Sequence, residues 1–271
     1  MIRRNIQLEN GAAAWLLISQ VEHARISGEL TRAWHEPLSQ EVVDAITHHD
    51  DGWANWEAAP RLDPVRGRPL SFLEMPIADA TEIWNDSIAA ARRIGPLAGA
   101  IVAGHFIGLA SGSDHAAQPV AQNWLRETGD QHTAWLALWQ RQLPTHTLDV
   151  ADRGQKMLLT ADLLSLWLCC DGPVAAADSA AIPTTEMQSR TSTVLGKYRF
   201  TTHDKSAPDG EIAWRGSLAP WPFAAPELDL QTPALTVPAA KYESWPKVAA
   251  AGRPVRLRWR LRQTLPPGGE C

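Results

Sequence analysis

The sequence predicts a mainly α-helical protein that carries a small β-sheet. Three observations lead to this fold class. The 271 residues are 45% hydrophobic and 20% charged, which is typical of a globular chain. Apolar residues recur at helical spacing through the middle of the chain, and they alternate with polar residues near its two ends. No apolar run is long enough to span a bilayer, so we expect no membrane association.

The chain opens with a predicted β-hairpin. Residues 2–8 and 13–19 read as short strands, and the Asn10-Gly11 pair between them favours a tight turn. Isolated hairpins are marginally stable in water. We therefore expect this hairpin to share a sheet with strands from the other end of the chain.

The middle of the chain predicts about six helices. They cover residues 21–34, 39–51, 79–94, 96–111, 116–142 and 150–170. The segment 55–76 between the second and third helices contains five prolines and glycines that break regular structure. A loop of this length is longer than a connector needs, and such loops often cover a functional site.

The composition changes after the last helix. Residues 173–190 are rich in Ala, Pro, Ser and Thr and are predicted to be a linker. Strands are predicted at 192–201, 211–218, 228–237 and 253–264, and the last alternates arginine with apolar residues. The alternation predicts a strand with one basic face, which we expect to be solvated and to protect a sheet edge. The predicted division is a helical core with the hairpin at 1–172, a linker at 173–190, and a β-rich segment packed on the core at 191–271.

Several ionisable residues lie where helical periodicity predicts an apolar face. His23 is in phase with Ile26 and Leu30 in the first helix. In the run His48-His49-Asp50-Asp51, the phase of the second helix turns the middle pair inward and the outer residues toward water. We therefore expect His49 and Asp50 to be buried.

The last helix carries a carboxylate among leucines. Asp162 lies in KMLLTADLLSLWLCC, and His105 aligns with apolar residues in AIVAGHFIGLAS. A buried carboxylate costs several kcal/mol unless a cation or hydrogen bonds neutralise it. Two imidazoles and two carboxylates suit a divalent metal, so His23, His49, Asp50 and Asp162 are the predicted ligands of one or two ions of Fe, Mn, Zn, Co or Mg.

The order His, His-Asp, Asp resembles the HD superfamily of metal-dependent phosphohydrolases. His49 follows His23 by 26 positions, a spacing that also resembles that superfamily. The stretches HDDGW, APRLDP, GRPLSF and the later GH also resemble an uncharacterised bacterial family of unknown function, across most of the chain. The first resemblance implies an HD-domain-like helical bundle. It also implies a metal-dependent hydrolase of a small phosphate ester or nucleotide.

The remaining polar residues near the HD pair receive supporting roles. His105 is expected to bind a second metal or a phosphate, and Asp51 or His48 to relay protons. We expect Arg61 and Arg68 of the long loop to bind substrate phosphate, and Trp53 to form a wall of the pocket. Solvated side chains and ordinary packing are the alternative for each of these residues.

Two other functions remain open from the sequence. The same ligands holding two irons would resemble an HD-type oxygenase, and a degenerate module would bind a metal or nucleotide without catalysis. The net charge of −5 argues against nucleic acid as a partner. The polar N-terminal residues and the three cysteines, which form no disulfide framework, lead us to expect a cytoplasmic protein. A small phosphorylated molecule or nucleotide is the expected partner, and a homodimer is an open alternative.

Overall fold

The computed structural model describes residues 1–8, 10–170, 180–181, 199–206 and 210–263, and the side chains in three of these ranges, 1–8, 10–170 and 210–263. The strands are β1 Ile2–Gln7, β2 Ala13–Ile18, β3 Ala180–Ala181, β4 Arg199–Ser206, β5 Glu211–Ala219, β6 Glu227–Pro238 and β7 Arg253–Gln263. The helices are α1 Gln20–Ala33, α2 Gln40–Thr47, α3 Trp53–Ala58, α4 Ile77–Ile94, α5 Pro96–Ser111, α6 Pro119–Gln140, α7 Leu148–Cys170 and α8 Trp245–Ala251. About half of the chain is helical, as the predicted fold class requires.

The strands form one mixed sheet in the order β1-β2-β6-β7-β5-β4-β3. β5 and β7 are parallel, whereas the other neighbouring pairs are antiparallel. β2 pairs with β6, with Trp15 opposite Val237, so the two ends of the chain do share a sheet. The arginine strand β7 lies between β6 and β5, so the prediction that it protects a sheet edge was wrong.

Two apolar cores place α7 at the centre of the molecule. One face of the sheet packs Leu257, Trp259 and Leu261 against leucines of α1 and α7. On the other side of α7, a second core unites α2, α4, α5 and α6. A buried polar residue on α7 therefore has α1 on one side and the helical layer on the other.

The second predicted helix is shorter than its periodicity indicated. It ends at Thr47, and residues 48–52 form turns that lead into α3. Gly52 is needed there because a Cβ atom would lie 2.1 Å from the carbonyl oxygen of Ile83. The segment 55–76, predicted as an irregular loop, contains the end of α3 and a short 3-10 helix, Phe72–Glu74.

The predicted linker at 173–190 lies outside the described residues apart from β3, as does most of the strand predicted at 192–201. Helix α8 was missed by the sequence analysis because it has only seven residues. Among the described residues, no helix combines the length and the apolar character needed to cross a bilayer.

Candidate metal centre

Four chain segments bring ionisable side chains together between the two cores. α1 contributes His23, the turn after α2 contributes His49 and Asp50, α5 contributes His105, and α7 contributes Asp162. All five residues are buried, with exposed fractions between 0 and 6%. One ligand atom from each of His23, His49 and Asp162 lies within 4.8 Å of the other two, which could hold a metal ion.

The His23 imidazole is fixed at both nitrogens. Its Nδ1 lies 2.6 Å from the carbonyl oxygen of Gln20, one helical turn earlier. Because a carbonyl oxygen only accepts hydrogen bonds, Nδ1 carries the proton. The opposite nitrogen, Nε2, lies 2.9 Å from Oδ1 of Asp162. The ring therefore presents Nε2 to the carboxylate on α7.

The His49 imidazole repeats this arrangement from another segment. Its Nδ1 lies 2.7 Å from the carbonyl oxygen of Ile46, and its Nε2 lies 3.3 Å from the same Asp162 oxygen. The rings of His23 and His49 meet edge to face with centroids 5.2 Å apart. Two Nε2 atoms thus converge on one carboxylate oxygen.

The approach of two imidazole Nε2 atoms to one carboxylate oxygen requires positive charge between these groups. A neutral imidazole with its proton on Nδ1 has a lone pair on Nε2, which would face the lone pairs of Asp162. Either a proton on the imidazole or a bound cation removes that conflict. Metal-binding histidines commonly donate their other N–H to a backbone carbonyl, as both residues do here. The donor set therefore fits a divalent metal.

The electrostatics of the cluster reflect the same requirement. Burial alone would lower the pKa of His49, but Asp50 and Asp162 outweigh it and raise this pKa to about 9. Burial would raise the pKa of Asp162, but hydrogen bonds from His23 and His49 hold it well below its usual range. Without a metal, a proton on His49 therefore supplies the positive charge.

Asp50 lies beside the cluster rather than among its converging atoms. Its Oδ2 is 3.5 Å from Nδ1 of His23 and 3.8 Å from Nε2 of His49. Burial raises the pKa of Asp50 against the opposing effect of the two imidazoles. Three of the four predicted ligands thus converge directly, whereas Asp50 lies beside them.

His105 reaches the other oxygen of the same carboxylate. Its Nε2 is 3.9 Å from Oδ2 of Asp162, and its ring packs edge to face on His49 at a centroid distance of 5.4 Å. Asp162 therefore has imidazoles near both of its oxygens. His105 thus lies close to the predicted ligands, and its role toward a second metal or a phosphate stays a prediction.

His48 and Asp51 lie on the outer side of the turn. Nδ1 of His48 is 3.0 Å from Oδ2 of Asp51, and the two side chains are 47% and 33% exposed. They form a surface pair with each other. The structure thus gives them no contact with the buried cluster that would support the expected proton relay.

The three residues predicted to bind substrate have other partners. Arg61 forms an ion pair with Asp79 on α4, and Arg68 with Glu74. Trp53 is buried and packs edge to face against Trp56. Among the described residues, neither arginine forms an ion pair with Asp50 or Asp162.

Sequence analysis missed the groups that orient the ligands. The carbonyl oxygens of Gln20 and Ile46 each lie three residues before a histidine, a spacing that could have identified them. It also missed two buried serines, Ser27 and Ser165, which hydrogen-bond to each other between α1 and α7. Single serines inside helices carry no pattern that indicates burial.

The fold and the cluster define a class: a helical protein with one mixed sheet and a buried site suited to a metal. The chain belongs to the family described as "Protein of unknown function (DUF3891)", whose model matches residues 1–239. That range includes every residue of the cluster. Comparison with curated proteins and with solved structures finds no match for the chain.

Proposed function

We propose that this protein is a metal-dependent hydrolase of a small phosphate ester or nucleotide. His23, His49 and Asp162 would hold a divalent metal, with Asp50 as a further ligand. The helices around them would form an HD-domain-like bundle, because the order His, His-Asp, Asp falls on α1, the turn after α2, and α7. The convergence of two Nε2 atoms on Oδ1 of Asp162 is the observation that carries this proposal.

A divalent metal in such a site would lower the pKa of a bound water and polarise a phosphoryl oxygen. The residues of this chain would do the rest. Gln20 and Ile46 orient the two imidazoles through their carbonyl oxygens. The buried carboxylate of Asp50, with Oδ2 3.5 Å from Nδ1 of His23 and 3.8 Å from Nε2 of His49, would add negative charge beside the two imidazoles. Burial of the cluster strengthens each of these interactions by excluding water.

An HD-type di-iron oxygenase is the second candidate. His105 favours it, because this imidazole lies near Oδ2 of Asp162 while His23 and His49 face Oδ1. Imidazole and carboxylate groups around both oxygens of Asp162 would suit the binding of iron.

A module that binds a metal or nucleotide without catalysis is the third. Two observations favour this non-catalytic module. The cluster is buried, and Arg61 and Arg68 already form ion pairs with Asp79 and Glu74.

Metal analysis combined with turnover separates these three functions. The protein is purified without chelators, its metal content is measured, and it is assayed on a panel of phosphomonoesters, phosphodiesters and nucleotides. The hydrolase predicts one or two divalent metals per chain, and phosphate release that chelation abolishes and the metal restores. Asp162→Asn, the matched negative control, should release none.

Other outcomes select against the hydrolase. Two irons per chain with an absorbance that responds to oxygen would select the oxygenase. Bound metal without turnover on any substrate would select the module. Protein that binds none of Fe, Mn, Zn, Co or Mg would refute all metal-based functions.

A further inference from the structure

Two serine hydroxyl groups meet inside the molecule where α1 crosses α7. The side chains of Ser27 and Ser165 are fully buried, and their Oγ atoms lie 2.8 Å apart. Most of the surrounding side chains are apolar members of the core between the sheet and these helices. This hydroxyl pair is a direct polar link between the two helices.

Each hydroxyl oxygen also lies within hydrogen-bond distance of the backbone carbonyl oxygen of a predicted ligand. Oγ of Ser165 donates to the carbonyl oxygen of Asp162 at 2.8 Å, and Oγ of Ser27 lies 3.2 Å from the carbonyl oxygen of His23. Ser27 follows His23 by four residues and Ser165 follows Asp162 by three. The link therefore lies about one helical turn, roughly 5.4 Å, from the ligand pair on both helices.

The protons of the pair define a direction. The carbonyl oxygen of Asp162 is 2.8 Å from Oγ of Ser165, closer than the 3.2 Å between Oγ of Ser27 and the carbonyl oxygen of His23, so Ser165 is the better donor to a backbone carbonyl. The oxygen of Ser165 then accepts from Ser27, whose single proton goes to Ser165 rather than to the His23 carbonyl. Two consecutive hydrogen bonds therefore run from Ser27 on α1 through Ser165 to the backbone of Asp162 on α7. A slip of α1 along α7 would break the link between the two serines, and it would change the 2.9 Å separation between Nε2 of His23 and Oδ1 of Asp162.

We infer that Ser27 and Ser165 are a positioning pair that sets the register of α1 on α7 and thereby the geometry of the metal ligands. This inference rests on the proposed function for the ligand set. Neither serine is a predicted ligand: Ser165 acts through its hydrogen bond to the backbone of Asp162, and Ser27 acts through Ser165. Substitution at partners of metal ligands typically lowers metal affinity by about 10- to 100-fold.

The energetics separate a positioning role from simple packing. Replacing one hydroxyl group of a buried pair weakens stability, whereas replacing both with apolar groups of similar shape is nearly neutral. The double variant Ser27→Ala/Ser165→Ala should therefore unfold close to the wild-type temperature. If the pair sets the ligand geometry, this double variant should nevertheless bind metal more weakly than the wild-type protein does.

Thr31→Val provides the matched control. Thr31 is 2% exposed on the same helix, and its hydroxyl group donates to the carbonyl oxygen of Ser27 at 2.8 Å rather than to a side chain of α7. Affinities for Zn²⁺ and Mn²⁺ are measured by competition with a chelator. We expect about tenfold weaker binding in the double serine variant and a change of less than twofold in Thr31→Val. Equal affinities in the double variant and wild type would overturn the inference.

A measurement on chelated protein keeps this test separate from the proposed function. The ¹⁵N spectrum of the imidazole side chains reports the hydrogen bonding of His23 without any metal. The His23 Nε2 resonance should shift in the double serine variant and stay unchanged in Thr31→Val. An unchanged resonance in both variants would refute the positioning role, even if wild-type protein binds metal. A shift in protein that binds no metal would refute the metal function alone.

Discussion

Two histidine–aspartate pairs occur side by side in the run His48-His49-Asp50-Asp51, and the structure treats them in opposite ways. His48 and Asp51 pair with each other at the surface. His49 and Asp50 are buried beside Asp162 and His23. The outer pair has water to solvate its charges, so its contact contributes little. The inner residues are shielded from solvent, so their charges must be balanced by neighbouring groups or by a bound cation.

The comparison shows that residue type alone does not identify a site. The two histidines differ by one position in the turn, yet only the inner one is buried beside Asp50 and Asp162, and these carboxylates raise the pKa of His49 to about 9. Substitutions at the inner residues should therefore affect the site, whereas matched changes at the outer residues should have little effect.

The largest effect is expected for Asp162→Asn. This substitution removes the charge on which both imidazoles converge, so we expect metal affinity to fall by more than about 100-fold. Loss of one partner from a buried ionic cluster also costs about 3 to 5 kcal/mol of unfolding free energy. Asp51→Asn, the outer counterpart, should change neither quantity measurably. Isothermal titration with Zn²⁺ and urea unfolding measure both, and retention of tight binding in Asp162→Asn would contradict the assignment.

The second effect concerns the stability of metal-free protein against pH. The pKa of His49 is raised from 6.5 to about 9 in the folded state, so its proton stabilises the fold fully below pH 6.5. This contribution, on the order of 3 kcal/mol, is lost as pH rises through about 9. Chelated wild-type protein should therefore lose unfolding free energy between pH 6.5 and 9.5.

Variants of the two histidines test the source of that pH dependence. His49→Gln should flatten the profile in this range, whereas His48→Gln should leave it intact. A wild-type profile that is already flat would show that His49 carries no additional proton in the folded, metal-free protein.

A smaller effect is expected at Asp50, because its carboxylate lies beside the converging atoms. Asp50→Asn should weaken metal binding by about tenfold if the side chain moves in as a further ligand. Asp51→Asn makes the same change at the next position in the chain and should weaken metal binding by less than twofold. Equal losses in the two variants would show that the turn as a whole, rather than the inner carboxylate, supports the site.

The smallest effect is expected at Arg61. Its side chain is 55% exposed and paired with Asp79, so Arg61→Ala should change the unfolding free energy by less than about 1 kcal/mol. We also expect kcat/KM on any hydrolysed phosphoester to change less than twofold. A tenfold fall, with stability unchanged, would instead show that this guanidinium leaves Asp79 and binds the substrate.

Much of the fold was predictable from local patterns. The hairpin at Asn10-Gly11 and the long central helices followed from turn chemistry and apolar spacing. The strand order was not predictable, because the placement of β7 between β6 and β5 depends on contacts across the whole chain. For that reason the arginines of β7 were assigned to a sheet edge.

The candidate site divides in the same way. Helical phase correctly predicted that His23, His49, Asp50 and Asp162 are buried, even though α2 ends at Thr47 before reaching the HD pair. The phase could not show which ligand atoms converge, since the turn that replaces the last part of the helix sets the position of Asp50. Nor could it assign partners to the loop arginines, because Asp79 and Glu74 meet them only in the folded chain.

X-ray absorption spectroscopy of the zinc-loaded protein tests the central claim most directly. We expect two imidazole nitrogens at about 2.0 to 2.1 Å and at least one carboxylate oxygen at about 2.0 to 2.2 Å from the metal. The imidazole signal should be unchanged in His48→Gln and reduced by one nitrogen in His49→Gln. A zinc environment with no imidazole, or one that His48→Gln alters and His49→Gln does not, would contradict a metal site built on the inner pair.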